Sequence, residues 1–385
     1  MIWNLKLMLS ILFYGACLIL SLSAKASSPG LKSCFADAFL IGTVIPGGLD
    51  SDALFFNHPK ELEVVKREFN ALTPENCMKP MYIQPSEGDF FWGASDYCVD
   101  FAESHSMALT GHTLIWHAMT ADWVFIDEYG DFVGRELALQ RMRNHIHAVV
   151  GRYKGRVSYW DVVNEAVVLS DQGQIASLRD SPWLRAIGED YIESAFHFAH
   201  EADPDALLYY NDYNMTKKEK VDFVAEMLVR MRAKGVPIHG VGMQGHWKLD
   251  WPSLADIEYA LRVFKDADIR VSITELDISV LPNILAHQGA EVSNKVDYIE
   301  TYNPYSESVP DRVLEEQATR FREIFGLFLK YQANIERVTF WGTSDGQSWK
   351  NDYPVKGRTD YPLLFDRKYM PKPAYQSLIN LSNEN

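Results

Sequence analysis

Eight short apolar runs, separated by segments of helical periodicity, constrain the fold more than any other feature of this chain. They are Phe39–Val44, Glu68–Leu72, Ala108–Trp116, Val157–Val163, Ala206–Asn211, His239–Gln244, Arg270–Glu275 and Arg337–Gly342. Most are rich in β-branched or aromatic residues and short enough to be strands buried on both faces. Between them, Glu61–Glu68, Gly134–Tyr153, Tyr191–Glu201, Lys217–Lys234, Ser253–Asp266 and Arg312–Gln332 repeat apolar side chains at helical spacing. The alternation predicts an α/β fold, a single (β/α)8 TIM barrel. A doubly wound sheet is the alternative, but polar residues end nearly every strand, which a ring of loops explains better than one crevice.

Composition fits one large domain. The 385 residues are 47% hydrophobic, enough for a substantial core, and no Pro/Ser/Thr-rich linker, repeat or low-complexity tract divides them. With 37 Lys+Arg against 52 Asp+Glu, the net charge of −15 argues against a polyanionic partner such as nucleic acid. A neutral polysaccharide fits better, because 10 Trp, 19 Tyr and 20 Phe supply flat apolar faces for sugar rings, although most such aromatics belong to the core.

Residues 1–26 read as a secretory leader. Lys6 precedes an apolar stretch from Leu7 to about Leu22, and Ala24-Lys25-Ala26 is a small-x-small cleavage site. A membrane anchor is the alternative, disfavoured by the short run, and a lipoprotein site at Cys17 lacks the usual aliphatic residue at Tyr14. The expectation is therefore a secreted monomer, extracellular or periplasmic, comprising residues 27–385 and free of membrane once the leader is removed. Cys34, Cys77 and Cys98 remain, so at most one disulfide forms. Cys77 and Cys98 are placed to meet, as a disulfide or as buried thiols, and their spacing matches no metal site.

Two glutamates end strand-like runs on either side of the middle of the chain. Glu165 closes Val157–Glu165 and Glu275 closes Val271–Glu275, and carboxyl ends of barrel strands are where such folds place chemistry. A glutamate there is more often an ion-pair partner or a solvated loop residue. A pair, however, has the makings of a glycosidase, one carboxyl protonating the departing oxygen and the other attacking the sugar carbon. Asn164 adds an amide beside Glu165, and Asp277 a second carboxylate on the same side of the extended chain as Glu275.

Trp160-Asp161-Val162-Val163-Asn164-Glu165-Ala166 and Ile273-Thr274-Glu275-Leu276-Asp277 resemble the acid/base and nucleophile signatures of glycoside hydrolase family 10, the retaining endo-1,4-β-xylanases. The resemblance spans roughly residues 36–380 through several motifs in family order. It implies Glu165 as acid/base and Glu275 as nucleophile, with Asn164 on a sugar 2-hydroxyl and Gln244, His246 and Asp277 bracing Glu275. Thr73-Pro74-Glu75-Asn76-Cys77-Met78-Lys79 implies that Glu75, Asn76 and Lys79 bind glycone hydroxyls. Gly111-His112-Thr113-Leu114-Ile115-Trp116-His117 implies that His112 and Trp116 border the sugar at the cleavage point. Tyr213 is implied on the leaving side, and Trp341 and Trp349 over the glycone sites. The implied substrate is xylan or xylo-oligosaccharide, with no cofactor and no metal.

The family pattern is not followed everywhere. Ala118-Met119-Thr120 stands where serine and glutamine are commoner, and a long polar segment, Leu281–Asp311, follows the seventh strand. The remaining readings are a retaining barrel endo-β-glucanase or β-1,3-xylanase, or a non-catalytic polysaccharide-binding protein. The last requires a lost carboxylate, and both are present.

Overall fold

The computed structural model describes residues 29–46, 59–170, 173–282, 284 and 300–384. The expected leader at 1–26 and most of the segment after the seventh strand lie outside these residues.

The strands are β1 (Leu40–Ile45), β2 (Ala71–Pro74), β3 (Ala108–Trp116), β4 (Tyr159–Asn164), β5 (Leu207–Asp212), β6 (Gly240–Met243), β7 (Arg270–Ser279) and β8 (Ile335–Phe340). Each pairs in parallel with its sequence neighbour, and β8 pairs with β1, so the sheet closes into an eight-stranded barrel. The intervening helices are α1 (Pro59–Glu68), α2 (Gly93–Ser104), α3 (Arg135–Arg152), α4 (Tyr191–Ala202), α5 (Lys218–Ala233), α6 (Leu254–Asp266), α7 (Asp311–Lys330) and α8 (Pro373–Ser382). A parallel strand needs a crossover to reach its neighbour, and the helix that makes it covers the outer face of the sheet.

Most of the core lies between strands and helices and includes Trp160, Leu208, Val241, Ile273 and Val338, with Phe340 of β8 packing its ring against Phe321 and Phe325 of α7. Each large apolar side chain so buried contributes about 1.5–3 kcal/mol. The barrel interior is more polar. There the Arg337 guanidinium lies 4.5 Å from the Tyr159 ring and 5.2 Å from that of Tyr209. Helix starts follow local chemistry too: at α6, Ser253 accepts from the Asp256 amide while Asp256 accepts from that of Ser253, closing a capping box.

Two expected boundaries are corrected. The run Glu68–Leu72 is not one strand, because Glu68 ends α1 and the strand begins at Ala71. The buried Glu68 carboxylate instead accepts from the Leu31 amide at 2.9 Å and the Tyr375 hydroxyl at 3.1 Å, tying both ends of the described chain together. The seventh strand runs past Glu275 to Ser279. Its register against β8 slips between Ile273, opposite Val338, and Leu276, opposite Phe340. That bulge places one extra residue in β7, so both apolar side chains keep same-face partners while Glu275 stays at the barrel mouth.

Cys77 and Cys98 meet as expected, as free buried thiols with Sγ atoms 3.8 Å apart. Of the long segment 281–311, the described end is fastened by Asn303, whose amide donates to Gly357 O and accepts from the Thr359 amide, each at 3.0 Å.

Gly111 has no room for a side chain. It lies opposite Trp160 in the β3–β4 register, and a Cβ there would stand 2.1 Å from the indole ring. Overpacking of this kind costs about 1–3 kcal/mol. Gly111→Ala is expected to lower the urea midpoint by a corresponding amount without changing the slope, and an unchanged midpoint would show that the ring has space to move.

Candidate active site

Glu165 follows the last residue of β4 with a φ of 58°, a left-handed conformation that non-glycine residues seldom adopt. Strand β5 and its side chains hold it there. The Glu165 amide donates to Asn211 O at 2.8 Å, the Ala166 amide to the Tyr210 hydroxyl at 3.1 Å and the Val167 amide to Asp212 Oδ2 at 3.3 Å. The carboxyl accepts from Trp116 Nε1 at 2.9 Å and from Gln244 Nε2 at 3.0 Å, both neutral donors.

Glu275 has the opposite company. Its Oε1 accepts from Asn211 Nδ2 and its Oε2 meets His246 Nε2, each at 2.9 Å. The other imidazole nitrogen of His246 lies 2.9 Å from Asp277 Oδ2, which also accepts from Trp349 Nε1 at 2.9 Å. Lys350 completes the row with an ion pair to Asp277 Oδ1.

Exposure does not distinguish the two glutamates, at 6% for Glu165 and 5% for Glu275. Their neighbours do. Burial raises the Glu165 pKa to about 7, assisted by the charges of Asp212 and Glu275 and opposed by the two hydrogen bonds. Burial also pushes Glu275 up, but the hydrogen bond and charge of His246, the charge of His112 and the Asn211 amide outweigh it. Glu275 is thus held below the ordinary glutamate value of 4.5. His246 sits at about 9, because its two carboxylate partners overcome the burial that disfavours the imidazolium. At neutral pH the site therefore has an ionised Glu275 and a substantially protonated Glu165, set by environment.

A belt of amides joins the carboxyls. Asn211 bonds Glu275 and approaches the Asn164 amide to 2.9 Å, and Gln244 spans Asn164, at 3.3 Å, and Glu165. The place expected of Gln244 is corrected here: it braces Glu165 rather than Glu275, because its Nε2 reaches the Glu165 carboxyl. His246 and Asp277 stand as expected beside Glu275.

Around this pair the loops bring the other expected residues together. Lys79 is buried, donates to Asn76 Oδ1 at 3.1 Å and lies 5.3 Å from the Trp116 ring centre. Burial lowers its pKa, against the charges of Glu75, Glu275 and Glu165. Burial likewise raises Glu75, opposed by Lys79 and reinforced by Glu275. His112 Nδ1 is fixed by Asp161 Oδ2 at 2.9 Å, and its ring stands edge-on to Trp341 at 5.5 Å. Trp349 lies 4.9 Å from His246 and 4.8 Å from Tyr353. On the opposite side the half-buried Tyr213 has the Lys220 ammonium 4.2 Å from its ring centre. The departing segment Ala118-Met119-Thr120 serves the backbone, Met119 O accepting from the Met81 amide at 2.8 Å and Thr120 Oγ1 donating to Trp116 O at 2.7 Å.

Asn211, Asp161, Asp212 and Lys350 belong to the site but were given no role by sequence reasoning. The signal for Asp161 and Asp212 was a carboxylate within an otherwise apolar strand, which is costly to bury without a partner. For Lys350 there was none, since its role depends on a contact with Asp277 across 73 positions of sequence.

The chain resembles known proteins along most of its length. The family model for glycosyl hydrolase family 10 matches residues 30–381. The chain is 40% identical to an endo-1,4-beta-xylanase A from Xylanibacter ruminicola, over 94% of this chain and 96% of that protein. It is also 40% identical to an endo-1,4-beta-xylanase from Geobacillus stearothermophilus, over 92% and 99% respectively. Among solved structures, an endoxylanase of this family retrieved from a sugarcane soil metagenome superposes with a TM-score of 0.86 at 46% identity, covering 91% of this chain and all of that one. A xylanase from Paenibacillus barcinonensis bound to a conduramine derivative gives 0.81 at 37% identity, covering 92% and 99%. A matching family model, relatives aligned along nearly their whole length and a pair of buried glutamates at the barrel mouth lead to one conclusion: the chain belongs to glycosyl hydrolase family 10.

Proposed function

We infer that this protein cleaves internal β-1,4-xylosidic bonds of xylan with retention of configuration, by double displacement. The observation that carries the mechanism is that two equally buried carboxyls have opposite company: neutral donors, Trp116 and Gln244, hold Glu165, while His246, braced by Asp277, faces Glu275. Glu165 donates its proton to the glycosidic oxygen while the ionised Glu275 attacks the anomeric carbon, forming a glycosyl ester. Esterification removes the Glu275 charge, which favours ionisation of Glu165. Glu165 then takes a proton from water, and that water releases the sugar from Glu275. Asn164 hydrogen-bonds the 2-hydroxyl of the sugar at the cleavage point, an interaction that strengthens towards the transition state. Tyr213 stacks the first leaving-side sugar.

Glu75, Asn76, Lys79 and His112 hold glycone hydroxyls, and Trp116, Trp341 and Trp349 close around the rings. Pentose selectivity follows from bulk. A glucose unit carries a hydroxymethyl group where xylose has only hydrogen, and the indoles occupy that space. The apolar stretch and cleavage site at residues 1–26 support export, leaving 27–385 as a monomeric catalytic domain. No helix among the described residues is long and apolar enough to cross a membrane.

Release of short oligosaccharides from xylan but not from carboxymethyl-cellulose tests the assignment. Comparable release from both would make the protein an endo-glucanase. Trp349→Ala should lower the xylo-to-gluco ratio of kcat/KM by roughly tenfold or more, as expected when steric exclusion of one small group is relieved. Equal losses on both substrates would make the indole a stacking surface without a selective role.

Glu275→Ala should abolish turnover on every substrate, by about 10⁴-fold or more. Glu165→Ala should cost about 10²–10⁴-fold on xylo-oligosaccharides but spare ester formation from aryl glycosides whose leaving group needs no proton, with azide restoring breakdown of the ester. Equal loss on both substrate types in Glu165→Ala would exclude an acid/base role.

The pH profile of kcat/KM on xylo-oligosaccharides should have two limbs with assigned causes. Activity falls on the alkaline side as the required proton leaves Glu165 near pH 7, and on the acid side only below 4.5, where Glu275 gains one. An alkaline limb already complete at pH 5 would contradict the assignment of Glu165.

A further inference from the structure

Arg179 is not needed by the mechanism above, yet it touches both the acid/base and the leaving-side aromatic. The segment after Glu165 forms a two-stranded hairpin, Val167–Leu169 against Ala176–Leu178, with Val167 opposite Leu178. The next pair in that register is closed by the Arg179 amide donating to Ala166 O at 2.7 Å, which puts Arg179 beside the acid/base. Its Nε donates to Glu165 O at 3.0 Å, and its Nη2 donates to the Tyr213 hydroxyl at 2.8 Å.

These bonds act on the peptide that the left-handed residue makes hardest to hold. The carbonyl of the Glu165–Ala166 peptide accepts from Arg179, while its N–H donates to the Tyr210 hydroxyl at 3.1 Å. Both polar groups of that peptide plane are therefore fixed by side chains rather than by a strand ladder. Arg179 is half-buried, where a bond from a charged donor is stronger than a neutral one. Tyr213 is fixed as well, by Lys220 at 4.2 Å from its ring centre and by Arg179 at its hydroxyl.

We propose that Arg179 is a positioning residue that couples the leaving-side sugar to the acid/base, transmitting the placement of Tyr213 to the backbone of Glu165. This rests on the xylanase reading given above. A leaving sugar that packs on Tyr213 tightens the ring, and through Arg179 the carbonyl of the residue that must protonate that same sugar. A misplacement of about 1 Å costs about 10²-fold in a reaction that depends on alignment. The link matters for leaving groups that require a proton and rest on Tyr213. An aryl leaving group of low pKa requires no proton.

The test compares wild type, Arg179→Met and Arg179→Lys on xylopentaose and on 2,4-dinitrophenyl β-xylobioside. Arg179→Met is expected to lower kcat/KM on xylopentaose by about 10–100-fold, mainly through kcat, while the aryl substrate changes by less than about twofold. Arg179→Lys, which keeps the charge but reaches only one acceptor at a time, should recover part of the loss. Proportional loss on both substrates, or no loss on xylopentaose, would overturn the proposal, since a merely structural arginine affects both reactions alike. If Arg179→Met does not fold, Tyr213→Phe removes only the hydroxyl acceptor and should lower xylopentaose turnover several-fold with the ring still in place; unchanged turnover would overturn the coupling. Failure of wild type to cleave xylopentaose would refute the xylanase reading itself, independently of any ratio between variants.

Discussion

A carboxylate out of water stays charged only if neighbours replace the water, and the row from Glu275 through His246 and Asp277 to Lys350 does so. The imidazole has a carboxylate within hydrogen-bond distance of each nitrogen, so it holds its proton to about pH 9 and acts at neutral pH as a fixed cation against the nucleophile. Without the row, only the His112 charge and the Asn211 amide would oppose the burial that pushes Glu275 towards the neutral acid. Asp277 and Lys350 do not touch Glu275; Asp277 acts on it by keeping His246 charged, and Lys350 pairs with Asp277.

The barrel makes that row possible and isolates Glu165 from it. His246 begins a short strand, His246–Lys248, which pairs with Asp277–Ser279 beyond the closed part of the sheet, so the imidazole stands directly opposite Asp277. The bulge in β7 keeps Glu275 at the mouth while the strand continues. Glu165 leaves β4 in a left-handed turn and meets neutral donors from the end of β3 and from the residue that follows β6. Equal burial thus leads to opposite pKa shifts, Glu165 up and Glu275 down, because one carboxyl faces an indole and an amide and the other an imidazolium.

Much of this was legible in the sequence. Barrel strands are buried on both faces and so appear as continuous apolar runs, which is why β3 emerged with its observed limits while β2, interrupted by Asn70, was placed too early. Motif residues such as Glu75, His112, Glu165 and Glu275 were legible because local signatures carry them. Asn211 and Arg179 were not assigned roles, since each acts by bonding a residue from a different loop or strand, and no periodicity records such a contact. The same limit misassigned Gln244: its position at the carboxyl end of β6 was correct, but which carboxyl its amide reaches is decided by packing across the barrel mouth. The helix α8 and the hairpin after Glu165 were missed because short elements carry weak periodic signals.

The central claim is that environment, including the charge of the partner carboxylate, holds the proton on Glu165. It is tested most directly by following the Glu165 carboxyl carbon by NMR through a pH titration, in the free protein and after Glu275 is trapped as a 2-fluoroxylobiosyl ester. The account predicts titration near pH 7 in the free protein. It predicts a clear downward shift in the ester, incomplete because burial and the Asp212 charge persist. A Glu165 that titrates at the ordinary glutamate value in the free protein, or whose midpoint does not fall when Glu275 is esterified, would contradict it.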